Sequence, residues 1–387
     1  MTRIQRLGLA VSLGLAMVTG IFRAHAEATA ETNVFKAAAD GIEFRHDVFP
    51  EPWSTFVLKI QLGRPDLKFL PVLGQFDRIG LNTLSAQVRQ VPARIGEPVA
   101  AINGDFYKTE GEPMPGDPRG LFVSRGELIS GPVERDCVWF GTNGLPNVGM
   151  IHSQFTLQIG NRAAVTNGLN EAFDGSQPVI YSLAGSSGAK GGKSFIMAKS
   201  GAGPWLPLRL GMTYHAVLKE RLDEEAPVPD DALIVCLPTD LGRAVQAGDE
   251  VTFSTATSPN LRGVDTAIGG GPAILRDGQT VEAHIGKPNE RHPRTAMGWN
   301  ETHMFFVVVD GRQTQSVGMT LAELSKYMAG LGCKDAMNLD GGGSTEMILN
   351  GKIVNSPCFG SERSCATSLI ALRPAAPKTR PGTAIRD

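Results

Sequence analysis

Hydrophobic and polar positions alternate over short stretches along most of this chain. "FVLKIQL" (56–62), "EVTFSTAT" (250–257) and "HMFFVVVDG" (303–311) each read as a strand. Three more segments join two such runs across an x-Gly pair: "LFVSRGELIS" (121–130), "AILRDGQTVEA" (273–283) and "MILNGKIVNS" (347–356). A short loop ending in glycine suits a tight hairpin, whose positive φ glycine tolerates. One stretch changes period. In "TLAELSKYMAGLG", starting at Thr320, residues Leu321, Leu324, Met328 and Leu331 share a helical face. Thr320 and Glu323 form a capping box, and Gly330 or Gly332 supplies the stop. The strand "KDAMNL" (334–339) follows. The expected fold is α+β: β-rich mixed sheets with a few helices packed on them.

The first residues break this pattern. Arg3 and Arg6 precede an apolar run from Leu7 to Ile21, and Ala24-His25-Ala26 then supplies a small-x-small cleavage site. That is the form of a secretory signal peptide, with Ala28-Thr29-Ala30 as a second cleavage site. The run is shorter than the ~18 apolar residues a membrane span wants, and no later stretch is long enough. The expected organisation is a signal peptide at 1–26, one domain at 27–372 and a polar, proline-rich tail at 373–387. The protein is expected in the periplasm or secreted, with no membrane span after cleavage. A net charge of −2 with mixed signs argues against a nucleic-acid partner.

Export bears on the five cysteines. Cys358 and Cys365 could close a loop bridge in an oxidising compartment, the alternative being two unpaired buried thiols. Cys137, Cys236 and Cys333 read as isolated core residues, and no Cys/His spacing resembles a zinc site. "AGSSGAKGGKS" (184–194) has Ser187 where a phosphate-binding P-loop needs glycine, so it reads as a flexible surface loop.

Four polar clusters stand where strands should end. They are "AINGDFY" (101–107), "ERHPRTAMGW" (290–299), "VVVDGRQTQS" (307–316) and "MNLDGGGSTEM" (337–347). Each alone fits a turn. Together they set carboxylates, an amide and arginines beside glycines, which let a ligand approach the main chain and its N–H groups.

These stretches, with "AIGGGPAIL" (267–275) and "ERSCATSLIAL" (362–372), resemble the phosphodiester glycosidases, the family of the lysosomal enzyme that uncovers mannose-6-phosphate. The similarity runs from about Phe44 to Leu372 and is loosest over 150–260. One departure is Asp105, where the family commonly has a second glycine after the asparagine. The resemblance implies hydrolysis of a sugar-1-phosphodiester at the anomeric carbon. Such a reaction passes through an oxocarbenium-like state that carboxylates stabilise. Its leaving group is a phosphate, which an arginine fork binds well.

The expected catalytic residues are the carboxylate pair Asp340 and Asp310, with Arg294 as phosphate clamp. Asn103 and Asp105 are expected on sugar hydroxyls. Gly270, Gly271, His292, Thr295, Arg312, Gly341, Gly342, Gly343, Ser344, Thr345 and Arg363 complete the binding set. Glu346 is expected to point away. No cofactor is required, while a structural or substrate-bridging calcium ion is left open. Two other classes fit the same residues: a non-catalytic envelope polysaccharide-binding protein, and a phosphodiesterase cutting P–O.

Overall fold

The computed structural model describes residues 34–166, 168–185, 192–282 and 288–376. The signal peptide, the tail from 377 and most of the loop at 184–194 lie outside the described residues. At the centre, Trp53–Gln61 pairs antiparallel with His303–Val309, which pairs in turn with Arg294–Trp299 and that with Asp335–Asn338. They form the middle of an eight-stranded sheet. Both its faces are buried. Leu58, Ile60, Phe306 and Val308 enter one core, whereas Val57, Phe305, Val307 and Val309 enter another beneath the helix Leu321–Gly330. The alternation in these strands therefore separates two cores rather than core from water. The helix carries the expected capping box, and Gly332 follows it at φ +84°.

A five-stranded sheet packs on the first core. Its middle strand Gly96–Asn103 lies between Met347–Leu349 and Thr367–Pro374. Ile102, Met347 and Leu369 face the shared core, while Ala101, Ile348 and Ile370 meet the short helix Leu84–Gln90 on the other side. The last strand runs two residues further than the sequence suggests, pairing Arg373 and Pro374 with Glu97 and Gly96.

A second five-stranded sheet belongs to two cores at once. Phe122, Val138 and Ile268 point into the first. Their chain neighbours Val123, Cys137 and Ala267 point the other way, against an eight-stranded sheet built within residues 152–258. The period of two in a strand does this directly.

All three expected hairpins form, each with two positive-φ residues at the turn: Arg125-Gly126, Asp277-Gly278 and Asn350-Gly351. Antiparallel strands joined by such turns need no crossover helices. That is why the fold is mostly β, with only three α-helices among the described residues, rather than a balanced α+β. Cys358 and Cys365 are not bridged. The Cys365 sulfur accepts from Gln87 Nε2 at 3.3 Å, whereas that of Cys358 lies 3.7 Å from Gly342 O. Among the described residues no helix is long and apolar enough to cross a membrane.

Candidate active site

The sheets bring the four polar clusters together at strand ends. Asn103 ends Gly96–Asn103, Asp310 follows His303–Val309, Asp340 follows Asp335–Asn338, and Arg294 opens its own strand. Asn103 is the knot between the two sheets. Its Nδ2 donates to Asp340 O at 2.6 Å. Its Oδ1 accepts from Thr295 Oγ1 at 2.6 Å and from Glu346 N at 3.2 Å. Both residues are fully buried, so neither contacts sugar as expected: their polar groups are spent on joining the sheets.

Asp340 stays half-buried. Its backbone N–H donates to Gly104 O at 3.0 Å, and its Oδ1 accepts from Gly341 N at 2.9 Å. Burial pushes its carboxyl up to about 6, against the opposing pull of the Ser344 hydroxyl and the Arg363 charge. The three glycines after it have distinct tasks. A methyl at Gly341 would lie 2.7 Å from Pro293 O. Gly342 has φ +61° and gives its N–H to Pro293 O at 2.9 Å. A methyl at Gly343 would meet the Phe359 ring at 2.5 Å and Arg363 Cδ at 2.9 Å. The amides of Gly341 and Gly342 are thus engaged within the protein, contrary to the expectation that they wait for a ligand. The Ser344 and Thr345 hydroxyls are buried beside this turn.

Two arginines flank this turn. Arg312 is exposed, itself at φ +59°, and a methyl at Gly342 would lie 3.2 Å from its Nη2. Arg363 packs its stem on Gly343 and sets its guanidinium 5.7 Å from the Tyr107 ring centroid. The main-chain N–H of Arg363 is held by Glu346 Oε1 at 3.1 Å. Glu346 is buried, and desolvation raises its carboxyl to about 8, helped by nearby Glu362.

Arg294 is not placed as a clamp. It is 5% exposed, and donates Nε to Met319 O at 2.9 Å and Nη2 to Glu290 O at 2.8 Å. Desolvation lowers its pKa to about 10. His292 stands between Glu290 Oε2 (3.0 Å) and Arg312 Nη2 (3.3 Å), its pKa lowered by burial and then by Arg294. This imidazole therefore orients Arg312.

Asp310 and Asp340 do not hydrogen-bond to each other among the described residues. Asp310 is enclosed, and takes Asn355 Nδ2 at 3.0 Å on Oδ1 and Ser356 N at 3.1 Å on each oxygen. Burial raises it to about 6, opposed by those bonds. Asn355 also donates to Thr345 O and accepts from Met347 N, so Asp310 anchors the loop leading to Arg363. Asp105 is buried too, its Oδ2 fitted against Gly120 and Gly269, where any Cβ would collide. Desolvation raises it to about 7. It does not reach out to a sugar. Gly270 and Gly271 are buried packing positions, with Gly271 N donating to Asn338 O at 2.8 Å.

Sequence reasoning passed over Tyr107, Asn355 and Phe359. Tyr107 closes the motif "AINGDFY" and donates its hydroxyl to Ser364 O at 2.9 Å. It lines a cavity of about 390 Å³ with Leu81, Thr109, Glu110, Arg363 and Ser364. A larger cavity, about 530 Å³, opens beside Gln61, Lys68 and Asn143. It lies at the far end of Trp53–Gln61 from Ser54, whose carbonyl takes the Asp310 N–H, and it holds none of the site residues. Among the described residues no group of three or more His, Cys, Asp or Glu side chains is arranged to hold a metal ion.

Residues 237–372 match the family described as phosphodiester glycosidase, in agreement with the resemblance read from the motifs. The SPbeta prophage-derived uncharacterized protein YomE of Bacillus subtilis (strain 168) is 34% identical over 87 residues, which are 22% of this chain and only 14% of that relative. A hypothetical protein from Synechocystis shares the fold at a TM-score of 0.70 and 17% identity, over 87% of this chain and 63% of its own. A protein described as exported, from Burkholderia pseudomallei K96243, does so at 0.63 and 21%, over 83% and 74%. The zebrafish N-acetylglucosamine-1-phosphodiester alpha-N-acetylglucosaminidase catalytic domain aligns over 88% of this chain and 87% of its own, at a TM-score of 0.44 and 15% identity.

Proposed function

We propose that this chain is an exported hydrolase that cleaves a sugar-1-phosphodiester at the anomeric C–O bond, on an envelope or extracellular glycan. The observation that carries the reading is the glycine turn Gly341–Gly343, set between Arg312 and Arg363 with the half-buried Asp340 at its foot. Their planar guanidiniums, one beside Gly342 and one on a stem packed on Gly343, are the kind of group that binds a phosphodiester. Asp340 is ionised at pH 7, and a carboxylate beside that phosphate stabilises positive charge growing at C1 or takes a proton from water. In the balanced step, the C1–O bond breaks and its electron pair leaves with the phosphate monoester. The water oxygen bonds to C1 and its proton passes to a carboxylate. Asp340 is the catalytic carboxylate, and Arg312 and Arg363 hold the phosphate. Asp310, Arg294, Asn103 and Glu346 position them.

Turnover of N-acetylglucosamine-1-phosphate methyl diester in water enriched with heavy oxygen tests this. Label in the released sugar is expected. Label in the phosphate means P–O cleavage instead. No turnover across a panel of sugar-1-phosphodiesters returns the protein to a glycan-binding role. For export, a reporter fused to residues 1–30 is expected in the periplasm, cleaved near Ala26. An uncleaved reporter in the membrane contradicts it.

A further inference from the structure

Resting on that reading, we propose that Phe359 is the platform on which the substrate's sugar ring stacks, one face of the pyranose against the phenyl ring while the arginines hold the phosphate. Phe359 is 65% exposed, and among the described residues it is the one aromatic ring in the set of large exposed apolar side chains. Leaving most of such a ring in water forgoes favourable apolar burial. A chain that holds one there beside charged groups exposes a surface suited to recognition.

The ring is held in place. Ser356 N is fixed by both Asp310 oxygens, and Ser356 O takes Gln313 Nε2 at 2.7 Å. Beyond the ring, Gly360 N closes a turn on Pro357 O at 2.9 Å, Glu362 Oε1 takes Ser85 N at 2.8 Å, and Glu346 takes Arg363 N. The ring edge and the Arg363 stem both press on Gly343, close enough that a methyl there would lie 2.5 Å from the ring. Gly343 thus brings an aromatic ring to the Asp340 turn. A pyranose has the complementary shape: an apolar C–H face and a polar hydroxyl rim. Its slightly positive C–H groups suit the negative face of an aromatic ring. A sugar on Phe359 whose phosphate meets Arg363 would carry its anomeric carbon toward the Asp340 turn.

The test is calorimetric binding to the folded, exported chain at pH 7, with glucose-1-phosphate, N-acetylglucosamine-1-phosphate and inorganic phosphate as probes. Phe359→Ala is expected to weaken both sugar phosphates about tenfold, the scale of one aromatic contact, and to leave inorganic phosphate unchanged. Phe359→Trp is expected to restore binding. Melting temperatures of both should stay close to the wild type, because only the edge of the ring is packed. Equal affinity of wild type and Phe359→Ala for the sugar phosphates overturns the platform while leaving the proposed activity standing. An equal loss for inorganic phosphate overturns it too, since the loop would then only hold Arg363. A wild-type chain that neither binds nor hydrolyses any sugar phosphate removes both proposals.

Discussion

Asp340→Asn should remove turnover and, at neutral pH, make the protein more stable. The substitution keeps size and shape, and its amide oxygen can still accept the Gly341 N–H that Oδ1 receives at 2.9 Å. What disappears is a carboxylate that burial disfavours, raised from 3.8 to about 6. The native state therefore binds this proton more tightly than the unfolded chain does. Between pH 4 and 6 the native state holds more protons, so stability falls as pH rises, and above pH 6 the full penalty is present. About two pKa units correspond to roughly 3 kcal/mol. Asp340 is partly open to water, so screening reduces this to about 1–2 kcal/mol. At ~2–4 °C per kcal/mol, the expected rise in melting temperature is about 2–8 °C.

The assay is calorimetric melting of both chains from pH 4 to 8. The curves should coincide near pH 4, diverge through pH 6 and run parallel above it. Asp105, which Asp340 helps to raise to about 7, is relieved by the same change and adds in the same direction. A pH-independent difference, or an Asp340→Asn chain less stable at pH 7.5, would refute the claim that the site holds a disfavoured carboxylate. Retained activity would remove Asp340 from catalysis.

Arg294→Lys should break the contacts to Met319 O and Glu290 O and cost about 2 kcal/mol in a melting experiment, whereas Arg312→Ala should melt normally and lose about two orders of magnitude in turnover. The reverse pattern would return the clamp to Arg294. Gly342→Ala forces a left-handed φ on a side chain and crowds Arg312, so melting should drop by several degrees for a cost of about 1–2 kcal/mol. An unchanged melting point would mean that the turn relaxes. The acid limb of kcat/KM should lie near pH 6, because Asp340 must be ionised and its carboxyl is raised to about 6. A limb near pH 4 would contradict that.

Local patterns were legible where local chemistry decides the outcome. The x-Gly pairs mark three hairpins because two adjacent positive φ angles need glycine at the second place. The capping box at Thr320 and Glu323 is likewise a contact within four residues. The pairing of Gly96–Asn103 with Thr367–Pro374 joins segments far apart in the chain, and no local signal announces it. The strands of 152–258 are found only in part, since their order depends on such distant partners.

The same distinction explains why the motifs told which residues gather, yet not which of their side chains stay exposed. A motif tells which residues gather, but not which face each side chain takes. In the strand Arg294–Trp299, Ala296 enters the core beneath the helix Leu321–Gly330, and Met297 enters the core between the sheets. By the period of two, Arg294 shares the face of Ala296 and Thr295 that of Met297. Arg294 therefore turns toward the segment before that helix, where the Met319 carbonyl receives it, and Thr295 turns toward Asn103 on the neighbouring sheet. Arg312 lies beyond the strand His303–Val309, and its left-handed backbone carries it outward over Gly342. Two arginines from adjoining motifs thus divide the work. The one inside a strand fastens the frame, and the one in the loop stays exposed, where the proposed function gives it the phosphate.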